Sequence, residues 1–342
     1  MPKGKDNILK IIILAAAVCI YGCIKEPLQP TPTQPSQSIT IKAMAVPLNP
    51  EDQSQRQVGA LLYRGGIRLR CSVPGFGGFS GLLISPQGKK LLAVSDRGYW
   101  LSARLDHLAG GELTGLSHAR LGRLQNPAGR FPAGRNMRDA ESLAISPAGD
   151  VVVAFEGRHR LWLYPTAAEP LEQRPNPLPL PAWLESAPFN QGVEALTYLK
   201  DGRLLAMAED HGNQGYTQGA VRGQNWRRLQ YKTSDGFKPT AADALPGGGV
   251  VVLERRYRFP GQWGARLAVL ARNQIYPGAK MVPQVLATLE PPLTLDNFEG
   301  LAVCSGPQGR TLIYLISDDN YSGLQDTLLL EFELKTSHQA MP

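Results

Sequence analysis

The stretch Asp139-Ala-Glu-Ser-Leu-Ala-Ile-Ser-Pro-Ala-Gly-Asp-Val-Val-Val-Ala-Phe-Glu-Gly-Arg158 reads as a β-hairpin. A short apolar run from Glu141 to Ser146 meets the turn residues Pro147-Ala-Gly149, and the largely β-branched run from Val151 to Phe155 follows. The same pattern recurs along the chain. Gly192-Val-Glu-Ala-Leu-Thr-Tyr-Leu-Lys-Asp-Gly-Arg-Leu-Leu-Ala-Met-Ala-Glu-Asp210 repeats it around Lys200-Asp-Gly202. Asn297-Phe-Glu-Gly-Leu-Ala-Val303 leads through a Gly/Pro turn to Thr311-Leu-Ile-Tyr-Leu-Ile-Ser-Asp-Asp319. Residues 81–97 repeat it without the leading acid, and residues 242–255 carry a worn copy in which Asp243 stands in the place of Glu.

The copies start near residues 81, 141, 194, 243 and 299, at intervals of 60, 53, 49 and 56. Strand-turn-strand units at such spacing are the mark of propeller blades. A single hairpin with one apolar face is marginal in water, so each copy must stack on its neighbours. The alternative is a sandwich with coincidentally similar hairpins; five echoes of strand, turn and terminal acid favour the propeller. The predicted fold is therefore all-β, a single β-propeller of five or six blades, with an N-terminal strand closing the last one. The blade number stays open because Ala60-Leu-Leu-Tyr-Arg-Gly-Gly-Ile-Arg-Leu69 either completes the last blade or begins another.

Ahead of the repeats, Lys3, Lys5 and Lys10 precede the apolar run Ile11-Ile-Ile-Leu-Ala-Ala-Ala-Val-Cys-Ile20. A basic start with a short apolar stretch is read as an export signal over residues 1–22. It ends in Ile20-Tyr-Gly-Cys23, which resembles a bacterial lipobox and makes Cys23 the expected lipidation site; a plain secretory signal is the alternative. Residues 23–56 are Pro/Thr/Gln-rich at their start and read as an extended tether, leaving 57–337 as the propeller. The expected location is the cell envelope, facing the periplasm or the exterior, with contact to a membrane only through the lipid. Pro-rich Arg174-Pro-Asn-Pro-Leu-Pro-Leu-Pro181 reads as a loop between blades.

The formal charge of +7 comes without a basic run, since arginines and acids are interspersed, and this argues against nucleic acid as a partner. The five histidines are scattered, there is no Cys-x-x-Cys for a structural zinc, and no Gly-x-Ser-x-Gly marks a nucleophile elbow. Chemistry is left to the charges that recur in the repeat. Glu141, Glu194 and Glu299 open three copies, and the second strands end in Ser95-Asp-Arg97, Phe155-Glu-Gly-Arg158, Ala208-Glu-Asp-His211, Leu253-Glu-Arg-Arg256 and Ser317-Asp-Asp319.

A propeller sets equivalent residues of successive blades in a ring. The expectation is a concave face lined by Glu141, Glu194, Glu299, Asp96 and Asp318 as catalytic candidates. Arg97, Arg158, Arg255 and His211 would bind the substrate. Glu141, Glu194 and Glu299 together supply the oxygens that a hard cation such as Ca²⁺ requires, and the arginines suit a small anionic ester. For any one of these acids the plainer reading is a turn cap or an ion pair with the next blade.

Asp139-Ala-Glu-Ser-Leu-Ala, Asn297-Phe-Glu-Gly-Leu-Ala, Leu92-Ala-Val-Ser-Asp-Arg-Gly98, Leu315-Ile-Ser-Asp-Asp-Asn320 and the closing Gln325-Asp-Thr-Leu-Leu-Leu-Glu-Phe-Glu-Leu334 resemble the phytase-like family of exported bacterial proteins, "esterase-like activity of phytase". The resemblance spans about residues 60–335 and implies a β-propeller and hydrolysis of phosphate or carboxylic esters. The alternative function is a non-enzymatic envelope propeller that binds a ligand or a protein; a sugar-acid lactonase would need a compact Glu/Asn/Asp metal set that the residues do not assemble. Ring closure would also bring Cys71 and Cys304 into one blade or adjacent blades, either as a disulfide or as two buried thiols.

Overall fold

The computed structural model describes residues 36–258 and 262–335. They form five antiparallel sheets, each a blade whose strands follow one another outward from the axis. Blade 1 runs through Phe79–Ile84, Lys90–Ser95, Tyr99–His107 and Leu113–Arg123; blade 2 through Ala140–Ile145, Val151–Phe155, Arg160–Tyr164 and Asn176–Leu178. Blade 3 contains Ala195–Tyr198, Leu204–Asn213, Tyr216–Arg222 and Trp226–Lys232, with Lys280–Met281 added in parallel outside. Blade 4 contains Lys238–Ala244, Val250–Arg258, Gln262–Leu270 and Gln284–Leu289. Blade 5 takes Phe298–Ser305, Thr311–Ser317 and Thr327–Leu334 from the end of the described chain and Leu61–Arg70 from its beginning. The blade number is thus five, and the N-terminal strand closes the ring.

The reason these strands are apolar on both faces is visible in blade 2. Val151, Val153 and Phe155 pack toward blade 1 with Leu83, Val94 and Trp100. Val152 and Ala154, pointing the other way, pack toward blade 3 with Leu196, Leu204 and Ala206. Successive side chains of a strand leave opposite faces of the sheet, so an inner strand must feed two seams at once. Each of the five seams holds its own buried cluster. Burying a Val or Leu in such a seam contributes roughly 1.5–3 kcal/mol. The first turns depend on glycine: Gly149 has φ +91° and Gly202 has φ +81°, a left-handed backbone that L side chains resist.

Two expectations change. The body starts before residue 57. Ser36–Ser38 pairs with Arg120, Leu121 and Gly122, and Lys42–Ala45 pairs with the closing strand, because Ile39, Ile41 and Ala43 supply apolar contacts to the seam between blades 5 and 1. The Pro-rich loop carries the outer strand of blade 2, with Pro177 opposite Trp162 on an edge where a missing N–H costs no ladder bond. The export signal, Cys23 and the first part of the tether lie outside the described residues.

Of the two readings of the cysteines, the free thiols hold: neither is bridged, with Cys304 buried and Cys71 half-buried. Cys304 lies on the innermost strand of blade 5 and faces Leu312, which faces Glu333, which faces Leu62 on the closing strand. The two cysteines are therefore three strand spacings of about 4.8 Å apart laterally, and near opposite ends of the sheet, well beyond disulfide reach. Burial pushes the Cys304 thiol up to about 12, which keeps it protonated and unreactive. After unfolding without reductant, Cys71 and Cys304 should each take an alkylating label in peptide mass analysis; an intact disulfide-linked peptide pair would contradict this geometry.

Candidate functional site

The acidic site is built from one irregularity repeated around the axis. Near one end of the inner strand in four of the blades the register slips by a residue. The slip leaves Ser80 unpaired in blade 1, Glu141 in blade 2, Thr240 in blade 4 and Glu299 in blade 5. Glu194 occupies the corresponding place in blade 3, one residue ahead of the Ala195 pairing. A bulge re-aims the side chain it carries, and here it turns these side chains to a common mouth. The fourth repeat is thereby corrected: Thr240, and not Asp243, is the counterpart of the glutamates. Thr240 stands ten residues before Val250, as Glu141 stands ten before Val151, whereas Asp243 stands only seven before Val250.

A second ring comes from the ends of the second strands. The N–H of Asp96 donates to Gly78 O at 3.0 Å, that of Glu156 to Asp139 O at 2.8 Å, and that of Asp318 to Asn297 O at 2.9 Å. Arg255 takes this position in blade 4, opposite Lys238. The two rings face each other closely. Glu141 is held well above the usual carboxylate range by burial and then by Glu194, Asp139, Glu299 and Glu156. Glu194 is likewise raised by burial and by Glu156, Glu209 and Glu299, against the pull of Arg255. Burial, Glu299 and Asp96 push Asp318 up to about 8. Asp96 is pushed up to about 7 by burial, Asp139 and Glu299.

Glu141, Glu194, Glu299, Asp96 and Asp318 are therefore all neighbours at one mouth. So is Arg255. Its Nη2 donates to Glu209 at 3.1 Å, its Nη1 to Asn297 Oδ1 at 2.5 Å, and Nη1 also pairs with Glu299. Burial alone would lower its pKa, but Glu299 and Glu209 more than reverse that, so it stays charged. The Arg97 guanidinium lies 3.5 Å above the Tyr321 ring, beside Asp96.

Two expected substrate residues lie elsewhere. Arg158 is exposed on the turn after blade 2's second strand, and its carbonyl accepts from Arg160 Nη1. His211 sits in a side cleft of about 500 Å³ with Trp183 and Trp226, bonded to Gln191 at 3.2 Å. Blade 3's second strand breaks register after Met207, which turns His211 away from the axis.

The residues that the repeat reading passed over are Asp139, Glu156, Glu209, Asn297 and Arg160. Ligand oxygens of Asp139, Glu141 and Glu156 lie within 4.8 Å of one another. This tight group keeps Glu141 from the expected metal set and has Asp139 and Glu156 in place of Glu194 and Glu299. Oxygens 2.3–2.6 Å from Ca²⁺ are at most about 5 Å apart, so the spacing suits that ion. Asp139 stands beside Glu141, and Glu156 beside Glu194, an arrangement that requires shared protons or a cation to offset the charge. Arg160 stacks 3.9 Å from Phe155 and faces Asp139, supplying the cation expected of Arg158. The signal was present: Asp139 and Asn297 each stand two residues before a ring glutamate.

A family model described as "Phytase-like: Esterase-like activity of phytase" matches residues 74–321. No curated protein matches the chain. Among solved structures, a gluconolactonase from Xanthomonas campestris is similar at 13% identity, with 91% of this chain and 100% of that one covered and a TM-score of 0.41. A streptogramin B lyase is similar at 12% identity, covering 89% and 90%, with a TM-score of 0.38. The Myceliophteria thermophila Cps50 (Swd1) β-propeller domain is similar at 12% identity, covering 87% and 100%, with a TM-score of 0.40.

Proposed function

The chain belongs to the phytase-like family, "esterase-like activity of phytase", and from that premise we propose that it is an exported hydrolase of phosphate or other anionic esters, assisted by Ca²⁺ and working at the acidic mouth. The observation that carries this reading is the triad Asp139, Glu141 and Glu156, whose oxygens lie within 4.8 Å of one another in a setting that disfavours their ionisation.

These three residues would hold the cation, which when bound neutralises the cluster and polarises the ester. With their charge offset, Asp318, raised to about 8, is a carboxyl able to move a proton near pH 7, and Glu194, held well above the usual carboxylate range by burial, stands at the same mouth. Arg97 at the rim can meet the anion, while Arg255 is committed to holding Glu209 and Glu299 in place.

The test is hydrolysis of a panel of aryl and alkyl phosphates and carboxylic esters, with Ca²⁺ and with a chelator. Turnover that needs Ca²⁺ for at least one phosphate or carboxylic ester supports the proposal. Silence across the panel with the metal present overturns it in favour of a binding propeller.

For the anchor, Cys23→Ser should move the protein from the membrane fraction to the soluble envelope fraction, because a lipid on Cys23 is the proposed link. Unchanged membrane fractionation of that variant rules the lipid out.

A further inference from the structure

At the end of the ring opposite the carboxylates, the inner strands run into their first turns around a cavity of about 790 Å³. Every blade contributes a large apolar wall residue there: Ile84, Ile145, Tyr198, Leu245 and Val303. Glu299 and Cys304 belong to one inner strand, five residues or roughly 16 Å apart, so this cavity is separate from the acidic mouth.

Two carboxylates line it: Glu169, which is paired with Lys90, and Asp243, half-buried, which is paired with no cation among the described residues. Its Oδ2 accepts from the Val303 N–H at 2.7 Å, and its Oδ1 accepts from the Ala244 N–H at 2.8 Å and from Thr197 Oγ1 at 3.1 Å. All three donors are neutral, and no ion pair to Asp243 is present among the described residues. The other charged walls are Lys90, whose ammonium is paired with Glu169 at 3.0 Å, and Lys200 on an exposed turn. Burial, opposed by these three hydrogen bonds, sets Asp243 at about 6, so it is largely ionised at neutral pH.

We infer that this second mouth binds a small organic cation with an apolar body, an alkyl- or arylammonium, whose charged head meets Asp243 and whose body lies against the apolar walls. A carboxylate held only by neutral dipoles in an apolar enclosure attracts a cation far more strongly than it would in water. The Tyr198 ring adds an aromatic surface suited to an ammonium. The volume is that of a small-molecule site. A neutral ligand leaves the charge unmatched, and an anion is repelled by it.

The experiment is calorimetric titration of the full chain with 4-phenylbutylammonium, with 4-phenylbutanol and with 4-phenylbutanoate. The ammonium should bind at least tenfold more tightly than the alcohol, and the carboxylate should give no heat. Leu245→Trp, which fills the cavity, should abolish ammonium binding, and Asp243→Asn should weaken it at least tenfold. Glu141→Gln, at the other mouth, should leave the affinity within twofold. Equal affinity for ammonium and alcohol overturns the inference. So does binding that survives Leu245→Trp but is lost in Glu141→Gln, since that places the cation among the acidic residues. If Asp243→Asn does not fold, the ligand series and Leu245→Trp decide alone.

Discussion

Glu141→Gln is expected to lower kcat/KM for the best ester at least about 100-fold while leaving the propeller folded. Gln keeps the shape of Glu and the bulge that carries it, so the seams on either side stay packed. What disappears is the one carboxylate that belongs both to the close triad with Asp139 and Glu156 and to the larger ring with Glu194 and Glu299. The loss should be accompanied by a weaker requirement for Ca²⁺, read as a rise in the concentration giving half-maximal rate. Arg158→Gln is the contrasting variant. Its side chain is exposed and it is not one of the triad, so the rate should stay within about twofold of the parent. An active Glu141→Gln protein with unchanged Ca²⁺ dependence would remove the triad from the mechanism.

The second large effect is a stability that runs against the usual acid-denaturation trend. Asp96 at about 7 and Asp318 at about 8 are both raised, by burial first and then by neighbouring carboxylates. In the unfolded chain such groups titrate near 4. Between pH about 4 and about 8 the folded metal-free protein therefore binds more protons than the unfolded one, and its stability must fall as pH rises. Each unit of difference is worth about 1.4 kcal/mol. Discounting heavily for coupling between the groups leaves a loss on the order of 3 kcal/mol, or roughly 6–10 °C in Tm.

Chelated protein should thus melt lower at pH 8 than at pH 5, with Ca²⁺ restoring more at pH 8 than at pH 5. The groups with lowered pKa, Asp52 and Asp201, act below this window and do not oppose it. A melting temperature that is flat or rises from pH 5 to pH 8 in the presence of chelator would show that the cluster is not under charge stress.

Much of this was legible in residue order alone. Five strand-turn-strand echoes at blade spacing can bury their apolar faces only by stacking in a ring, so the propeller followed from periodicity and from the weakness of a lone hairpin. The glutamates that head three copies were visible for the same reason: a local motif repeats its chemistry wherever its packing repeats. Whether residue 60 began a sixth blade was not legible, because strand-like sequence is the same on either side of a seam.

What the tertiary structure alone decided turns on single-residue shifts and on distances across seams. The register put the fourth counterpart at Thr240 and not at Asp243, three residues further on, because Thr240 is the residue left unpaired on that inner strand. The same effect carried His211 to a side cleft and left Asp243 at the opposite mouth. Asp139 came within 4.8 Å of Glu156 only because pairing of the first two strands of blade 2 places one strand's start beside the other's end. Cys71 and Cys304 share a blade, as closure requires, yet three strand spacings keep them apart. Periodicity tells which residues are equivalent; the register of the backbone hydrogen bonds decides which of them meet.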